Sequence, residues 1–176
     1  MLKGKLTCLR SLERQDMPTL QKWMNDPELT QWLSPRFHIS LEEQNAWFDK
    51  LLVDSSKMKM LIEDMEGSAI GLISLMNINH KDRVAEFGIY LGENRFIGKG
   101  LGKDATNVLL RYAFHDLGLK RIYLLVLEEN DRAIKSFEDC GFKREAVLRE
   151  SMFFAGRYHN QLVMGNLAPE FESLNQ

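Results

Sequence analysis

A short glycine-rich stretch, RFIGKGLGKDA at residues 95–105, constrains the fold of this chain most strongly. Its glycines stand at alternate positions, Gly98, Gly100 and Gly102, between the apolar segment 83–91 and a helical pattern with 3.6-residue periodicity. The first N–H groups of a helix lack partners inside the helix and attract anions, and glycine allows a ligand close to the backbone. The stretch therefore predicts a strand, an anion-binding turn and a helix in succession.

The spacing of these glycines argues against two nucleotide-binding motifs. A dinucleotide fingerprint, GxGxxG, does not fit, because Lys103 follows the alternating glycines. A P-loop, GxxxxGK followed by Ser or Thr, does not fit either, because Asp104 comes next and Ile97 occupies the first glycine position. A nucleotide-binding oxidoreductase is therefore disfavoured. A turn that only redirects the chain ranks below ligand binding, because three alternating glycines exceed what a turn needs.

Hydrophobic patterning over the rest of the chain predicts a mixed sheet flanked by helices, in the α/β (α+β) class. Consecutive strands pair antiparallel, whereas the strand–helix–strand step around Gly118 favours a right-handed parallel pair. We predict strands at residues 5–12, 57–64, 68–79, 83–91 and 121–128, helices at 15–26, 40–52, 100–118 and 130–141, and a hairpin over 142–167 that turns at Ala155–Gly156.

Local signals mark the starts of two helices and the end of the domain. Asp16 is suited to cap the first helix, and Ser40 with Glu43 forms a capping box at the second. We expect a single domain over residues 1–168 and a frayed tail over residues 169–176.

Charge and cysteine content exclude several classes of function. With 176 residues and a net charge of −2, the protein has no overall attraction for nucleic acid or for an anionic membrane. No apolar run is long enough to cross a bilayer and no apolar leader is seen, so we expect a cytoplasmic protein. Cys8 and Cys140 lack metal-binding spacing, so we expect free thiols and no metal site.

Three segments in this order resemble the GCN5-related N-acetyltransferases, the GNAT superfamily. They are VAEFGIYL (84–91), IGKGLGKDA (97–105) and ENDRAIKSFEDCGF (129–142). The family's loop pattern, R/Q-x-x-G-x-G/A, is matched at Gly100 and Gly102, whereas Ile97 stands where the family has Arg or Gln. The resemblance is strongest to the branch of ribosomal-protein N-terminal, spermidine and amino-sugar acetyltransferases.

This resemblance implies a GNAT-like sheet, mixed and mostly antiparallel, with a splayed central strand pair, and acetyl-CoA (coenzyme A) as the cofactor. The loop would bind the pyrophosphate, and the backbone of residues 89–91 would pair with the pantetheine amides like an added strand. The residues that it assigns to cofactor binding are Ile89, Tyr90, Leu91, Ile97, Gly98, Lys99, Gly100, Leu101, Gly102, Lys103, Asn130, Arg132, Ala133, Ser136 and Phe137.

The implied reaction is the direct attack of a primary amine on the acetyl thioester. An alkyl ammonium has a pKa of about 10, so at neutral pH the amine is mostly protonated and has no free lone pair. A base is therefore needed to remove the proton. Glu86, which shares a strand face with Gly88, is the candidate base, with a structural ion pair to Arg83 as the alternative. The family often has Tyr at the position of Phe137. The proton donor is therefore Ser136 or water, or the thiolate leaves unaided.

The acceptor is less constrained, and the candidate acceptor-binding residues are Arg36, Glu86 and Tyr158. Arg36 favours an acceptor with a phosphate or carboxylate near its amine over a polycation. The branch implies a protein N-terminus or a small-molecule amine, with a polyamine or a nucleotide amino sugar as alternatives. A non-catalytic acyl-CoA-binding module on the same fold is the alternative of a different class. A homodimer is expected from the branch alone.

Overall fold

The computed structural model describes residues 1–33 and 38–174. Within these ranges, eight strands form one sheet and six α-helices cover it. The strands are β1 Leu2–Lys3, β2 Thr7–Ser11, β3 Met58–Asp64, β4 Ala69–Asn79, β5 Val84–Leu91, β6 Arg121–Leu127, β7 Lys143–Phe154 and β8 Arg157–Leu167. The helices are α1 Met17–Met24, α2 Pro27–Thr30, α3 Leu41–Leu52, α4 Leu101–His115, α5 Asp131–Glu138 and α6 Ala168–Leu174.

The order of the strands confirms the predicted mixed, mostly antiparallel sheet. The order is β1-β2-β3-β4-β5-β6-β8-β7, and β5–β6 is the parallel pair in it. This parallel pairing begins at Val84–Arg121 and ends at Glu86–Tyr123, although both strands continue for several residues. The two strands therefore diverge beyond Glu86, which gives the splayed central pair that the family resemblance implied.

Each face of the sheet packs against its own helices. On one face, α4 buries Ala105, Leu109 and Ala113 against strand residues that include Phe87. On the other face, α1 and α3 form a second core, with Trp23 in contact with Tyr90 of β5. Because alternate strand residues point to opposite faces, β5 contributes to both cores and leaves Glu86 and Gly88 only partly buried.

Two of the predicted local signals are confirmed and one is wrong. Ser40 and Glu43 form both hydrogen bonds of the capping box at α3, and the final hairpin turns at Ala155–Gly156 with positive φ at both residues. Asp16 precedes α1, but its side chain caps no N–H of that helix. Its carboxylate instead forms an ion pair with Arg10, at 2.7 and 2.8 Å, and accepts from the Glu13 amide.

The C-terminal segment corrects another expectation. Residues 169–174 are not frayed, because α6 places Phe171 against Phe114 with only 2% of its surface exposed. Phe171 and Leu174, in an otherwise mostly polar tail that opens with Pro169, gave too weak a pattern for a helix to be predicted. The described part of the chain contains no helix that is long and apolar enough to cross a membrane.

Candidate active site

A cleft of about 1050 Å³ opens where β5 and β6 diverge. One side of it, the glycine wall, is the loop at residues 97–103 that leads into α4. Four of the six acidic residues in the described part of the lining, Asp26, Glu28, Glu43 and Glu86, are called the carboxylate wall here. The other two, Glu93 and Asp139, form ion pairs with Arg95 and Lys103. All the residues predicted to bind the cofactor line this cleft except Lys99, which is exposed. The structure thus brings together residues from β5, the loop and α5 that the sequence left apart.

The glycine wall presents main chain rather than side chains to the cleft. Gly98 and Gly100 both have φ of +77°, a left-handed conformation in which residues other than glycine are strained. Gly102 is helical, and a Cβ built on it would meet nothing closer than Leu91 Cδ1 at 3.9 Å. Packing inside the protein therefore does not require glycine at 102. The open space lies beside the unpaired N–H groups at the start of α4, which fits an anionic group such as a pyrophosphate.

Asp104 anchors the start of α4 to the N-terminal strands. Its carboxylate accepts hydrogen bonds from the amides of Lys5, Leu6 and Thr7 at 2.9–3.0 Å and from the Thr7 hydroxyl at 2.7 Å. Burial alone would raise the pKa of Asp104, but these hydrogen bonds outweigh it and hold the pKa below its usual value. The residue that argues against a P-loop therefore fixes the glycine wall in place.

Helix α5 contributes an aromatic contact instead of a hydroxyl. Asn130 caps this helix by accepting from the Ala133 amide at 3.2 Å, as its sequence position suggested. Phe137 lines the cleft and packs edge-on against Phe87 and Phe142, at centroid distances of 6.0 and 5.9 Å. Phe137 therefore has a packing role, and Ser136 is the neighbouring cleft residue with a hydroxyl.

Glu86 lines the cleft at the last position where β5 pairs with β6. Its Oε2 accepts from Asn77 Nδ2 at 2.8 Å and from the Tyr123 hydroxyl at 3.4 Å. Within the described ranges, Glu86 forms no salt bridge, so the alternative of an ion pair with Arg83 is wrong. Neither hydrogen-bond partner was predicted, because each depends on pairing between strands that no local pattern reveals.

The predicted acceptor residues are placed less favourably than the cofactor residues. Arg36 lies outside the described residues. Tyr158 does not line the cleft: it is 62% exposed on the final hairpin and packs against Phe153, with ring centroids 5.0 Å apart. Neighbouring residues of a strand point to opposite faces, so Tyr158 points away from the face on which its neighbour His159 is buried. The prediction that Tyr158 contacts the acceptor is therefore wrong.

Sequence reasoning missed several residues on the acceptor side of the cleft. Lys59 of β3 lies over the ring of Trp47 of α3, with Nζ 5.5 Å from the ring centroid. Ser74 and Met76 of β4 lie across from Gly88 and Glu86 in the β4–β5 register. All four line the cleft. No motif marks them, because strand pairing and helix packing bring them together.

Neither cysteine lines the cleft. Cys140 is fully buried, and burial raises the pKa of its thiol to about 12. A thiol with so high a pKa stays protonated near neutral pH and is a poor nucleophile. The geometry therefore supports direct transfer to an acceptor rather than an acyl-cysteine intermediate.

A splayed parallel pair beside a glycine-rich helix start defines the arrangement expected of an acyl-CoA-dependent transferase. The family model "Acetyltransferase (GNAT) domain" matches residues 7–143. The chain therefore belongs to the GNAT acetyltransferase family. This confirms the family resemblance, and with it an N-acetyltransferase that uses acetyl-CoA.

Similar proteins with established names agree with this assignment. A spermidine N(1)-acetyltransferase from Vibrio cholerae is 34% identical over 159 residues, which cover 90% of this chain and 91% of that protein. The spermidine N(1)-acetyltransferase of Escherichia coli K12 is 32% identical and covers 89% and 83%. The crystal structure of spermidine N-acetyltransferase from Vibrio cholerae in complex with CoA and spermine superposes with a TM-score of 0.90. It is 32% identical and covers 94% of this chain and 98% of that one.

Proposed function

We propose that this enzyme transfers the acetyl group of acetyl-CoA to a primary amine of a small polycation of the polyamine class. The carboxylate wall carries this proposal, because four carboxylates line the cleft beside the splayed strands. The similarity to spermidine N(1)-acetyltransferases at 32–34% identity supports the same acceptor class. This acceptor differs from the one that Arg36 favoured in the sequence.

The distribution of charge in the cleft separates a site for anions from a site for cations. Among the described residues that line it, Lys103, Arg132 and Lys135 belong to α4 and α5, beside the glycine wall, where Asp139 lies 3.7 Å from Lys103. Lys59 of β3 is the remaining basic residue of the lining, and it lies over Trp47. A polyamine carries several positive charges, so opposite charge at the carboxylate wall favours its binding and its encounter rate.

Hydrogen bonds hold three of these carboxylates, those of Asp26, Glu28 and Glu43, in place. Glu43 accepts from the Ser40 amide, which is the first cause of its lowered pKa, followed by the Ser40 hydroxyl. Asp26 caps α2 through the Glu28 amide, and Glu28 accepts from Asn94 Nδ2 at 2.7 Å. Each local bond orients a carboxylate without neutralising its charge.

The chain's own groups would hold the cofactor along the splayed strands. The amides at the start of α4 would bind the pyrophosphate, with Lys103 and Arg132 as nearby positive charges. The β5–β6 pairing ends at Glu86–Tyr123, and residues 89–91 lie beyond it, beside the opening between the two strands. An amide-containing arm that enters this opening would pair with their backbone. When bound, acetyl-CoA supplies an acyl thioester that is reactive toward a neutral amine.

Glu86 is the residue that we assign to the amine. A carboxylate at this position can accept a proton from the ammonium group, directly or through water, and so expose the lone pair. The leaving thiolate needs no strong acid, because a free thiol has a pKa of only about 8.5. Ser136 or water would complete the proton transfer in place of the missing Tyr hydroxyl.

One observation favours a second acceptor class. Lys59, over Trp47, places a positive charge and an aromatic ring in the cleft. These would suit an amine that also carries a phosphate or carboxylate, such as a nucleotide amino sugar.

An acceptor panel distinguishes these possibilities. Coenzyme A release is measured with spermidine, a simple alkyl monoamine, a nucleotide amino sugar and a peptide with a free N-terminus. We expect spermidine to give the highest kcat/KM, and raising the ionic strength to lower it more than for the monoamine. A preference for the nucleotide amino sugar would overturn the polyamine assignment and leave acetyl transfer intact.

A homodimer and a cytoplasmic location stay predictions, and light scattering would test the first.

A further inference from the structure

A polar cluster of Asn77, Glu86 and Tyr123 lies at the point where β5 and β6 separate. Asn77 Nδ2 and the Tyr123 hydroxyl both donate to Oε2 of Glu86, at 2.8 and 3.4 Å. Within residues 1–33 and 38–174, Oε1 of Glu86 accepts no hydrogen bond. One oxygen of the carboxylate is therefore held by the protein, and the other is left for a ligand in the cleft.

Asn77 reaches Glu86 only because β4 departs from regular geometry. Met76 is directly opposite Glu86 in the β4–β5 register, so in a regular strand the next side chain would point to the other face of the sheet. The register shifts between Met76 and Asn79, and Asn77 has φ of +51°. This bulge turns the Asn77 amide toward Glu86, as bulges beside functional sites commonly do.

Within this bulge, the backbone of Asn77 is in a left-handed conformation. A left-handed conformation is uncommon for a residue other than glycine, although Asn tolerates it better than most. Strain of this kind persists where the surrounding structure fixes it, and it is concentrated at functional sites. Here the strained residue donates the shortest hydrogen bond that Glu86 accepts.

Tyr123 approaches Glu86 from the second strand of the splayed pair. Glu86 and Tyr123 are the last partners in the parallel register, so their side chains lie on the same face. Burial, and then the nearby charge of Glu86, raises the pKa of Tyr123 above its usual value. Its hydroxyl therefore stays protonated near neutral pH and remains a donor.

We propose that Asn77 and Tyr123 are positioning residues, which fix the Glu86 carboxylate at the mouth of the splayed strands so that its second oxygen meets the acceptor amine. The role of Glu86 in N-acetyl transfer belongs to the proposed function, and this inference rests on it. Because Phe137 offers no hydroxyl, the orientation of Glu86 carries more of the proton-transfer chemistry in this chain.

The test combines two substitutions with matched controls. Asn77→Gly removes the amide and keeps a residue suited to positive φ, whereas Asn79→Ala removes a neighbouring amide that bonds to Asp82. Tyr123→Phe removes the hydroxyl beside Glu86, whereas Tyr112→Phe removes one on α4. We expect Asn77→Gly to lower kcat about tenfold and Tyr123→Phe about threefold, with the KM for acetyl-CoA unchanged. The two controls should keep wild-type kcat.

A double-substitution cycle separates positioning from a general structural effect. In a Glu86→Gln background, Asn77→Gly should change kcat by less than about twofold, because the carboxylate that it orients is already gone. Multiplicative losses in the double variant would overturn the positioning role, as would an effect confined to the KM for acetyl-CoA. If Glu86→Gln itself leaves kcat unchanged, the inference fails while acetyl transfer stands. If the wild type acetylates no amine, the proposed function fails first.

Discussion

The glycine wall and the carboxylate wall are built in different ways. The glycine wall uses main-chain N–H groups from one short stretch, residues 97–103. Its glycines have no side chain, which leaves open space next to this backbone. The carboxylate wall uses side chains that come from α3, from β5, and from α2 and the residue before it. One surface is therefore fixed by local backbone geometry and the other by tertiary packing.

This difference has a chemical consequence. Main-chain amides are the same whatever the side chain, so Ile97 can stand where relatives of this loop have Arg or Gln. A wall of side chains changes its chemistry with each substitution, so it can diverge between members of one family. Donor recognition should be robust in this chain, and acceptor recognition should be sensitive to single residues.

The largest expected effect is on kcat, and it comes from a substitution at Glu86 in the carboxylate wall. Glu86→Gln keeps the shape and the ability to accept from Asn77 but removes the negative charge and the proposed base. We expect kcat to fall by about 100-fold or more, with little change in the KM for acetyl-CoA, as is typical when a general base is lost. Steady-state kinetics with each substrate varied in turn would measure both effects.

Two other outcomes of Glu86→Gln would contradict the contrast between the glycine wall and the carboxylate wall. A large rise in the KM for acetyl-CoA would mean that the two walls are not independent. Unchanged kcat would remove Glu86 from the mechanism and leave its hydrogen bonds with Asn77 and Tyr123 without a catalytic purpose.

Elements governed by local pattern could be predicted from the sequence. The apolar stripe of α4, the capping box at Ser40 and the hairpin turn at Ala155–Gly156 follow from neighbours within a few residues. The glycine wall belongs to this group, because its backbone geometry is set by a contiguous stretch. The splayed strand pair was implied by the family resemblance rather than by periodicity.

Features that depend on distant residues were missed or misplaced. Asp104 looked like a break in a phosphate motif, but it binds residues 5–7 from the other end of the chain. The bulge at Asn77 depends on its register with β5, and Tyr158 points away from the cleft because of its register in β8. Strand register and tertiary packing decide such contacts, and neither has a short sequence signature.

The next effect concerns the support of the glycine wall. Asp104→Asn keeps the size of the side chain but replaces one acceptor oxygen with a donor that faces the amides of residues 5–7. We expect the free energy of unfolding at pH 7 to fall by about 2 kcal/mol, because the amides of residues 5–7, of which Thr7 is buried, lose hydrogen bonds to a charged acceptor. Urea denaturation would measure it.

The difference in stability between the wild type and Asp104→Asn should depend on pH. The folded-state pKa of Asp104 is lowered, so its stabilisation is complete above the unfolded pKa of about 3.9 and is lost as the pH falls through the lower folded value. The stability difference between wild type and Asp104→Asn should therefore be constant from pH 7 to about 5 and shrink toward pH 3. A difference that does not change with pH would show that Asp104 acts through its shape and not its charge.

A smaller effect tests the open space of the glycine wall directly. Gly102→Ala adds a methyl group that meets no protein atom closer than 3.9 Å, in a helix that favours Ala over Gly. We expect stability to stay equal or rise by about 0.5 kcal/mol, while the KM for acetyl-CoA rises about tenfold because the methyl group holds the pyrophosphate away.

A glycine in a distant turn provides the control for Gly102. Gly67 has φ of +83° with nothing within 4 Å of a built Cβ, so Gly67→Ala should lose about 1 kcal/mol of stability and leave the KM unchanged. If Gly102→Ala binds acetyl-CoA as the wild type does, the glycine wall does not contact the cofactor at this residue.

The smallest expected effect concerns Glu28 on the carboxylate wall. Glu28 is exposed at the cleft and accepts from Asn94, so Glu28→Gln keeps a hydrogen-bond acceptor and removes one negative charge. Exposed ion pairs contribute little, so we expect the KM for spermidine to rise only about threefold, with the KM for a monoamine unchanged. The increase should disappear at high ionic strength, because salt screens an exposed charge. An equal rise for both amines would mean that Glu28 acts through the shape of α2. Its charge would then play no part in choosing the acceptor, and the contrast between a backbone site for the donor and a charged site for the acceptor would rest on Glu86 and its nearer neighbours.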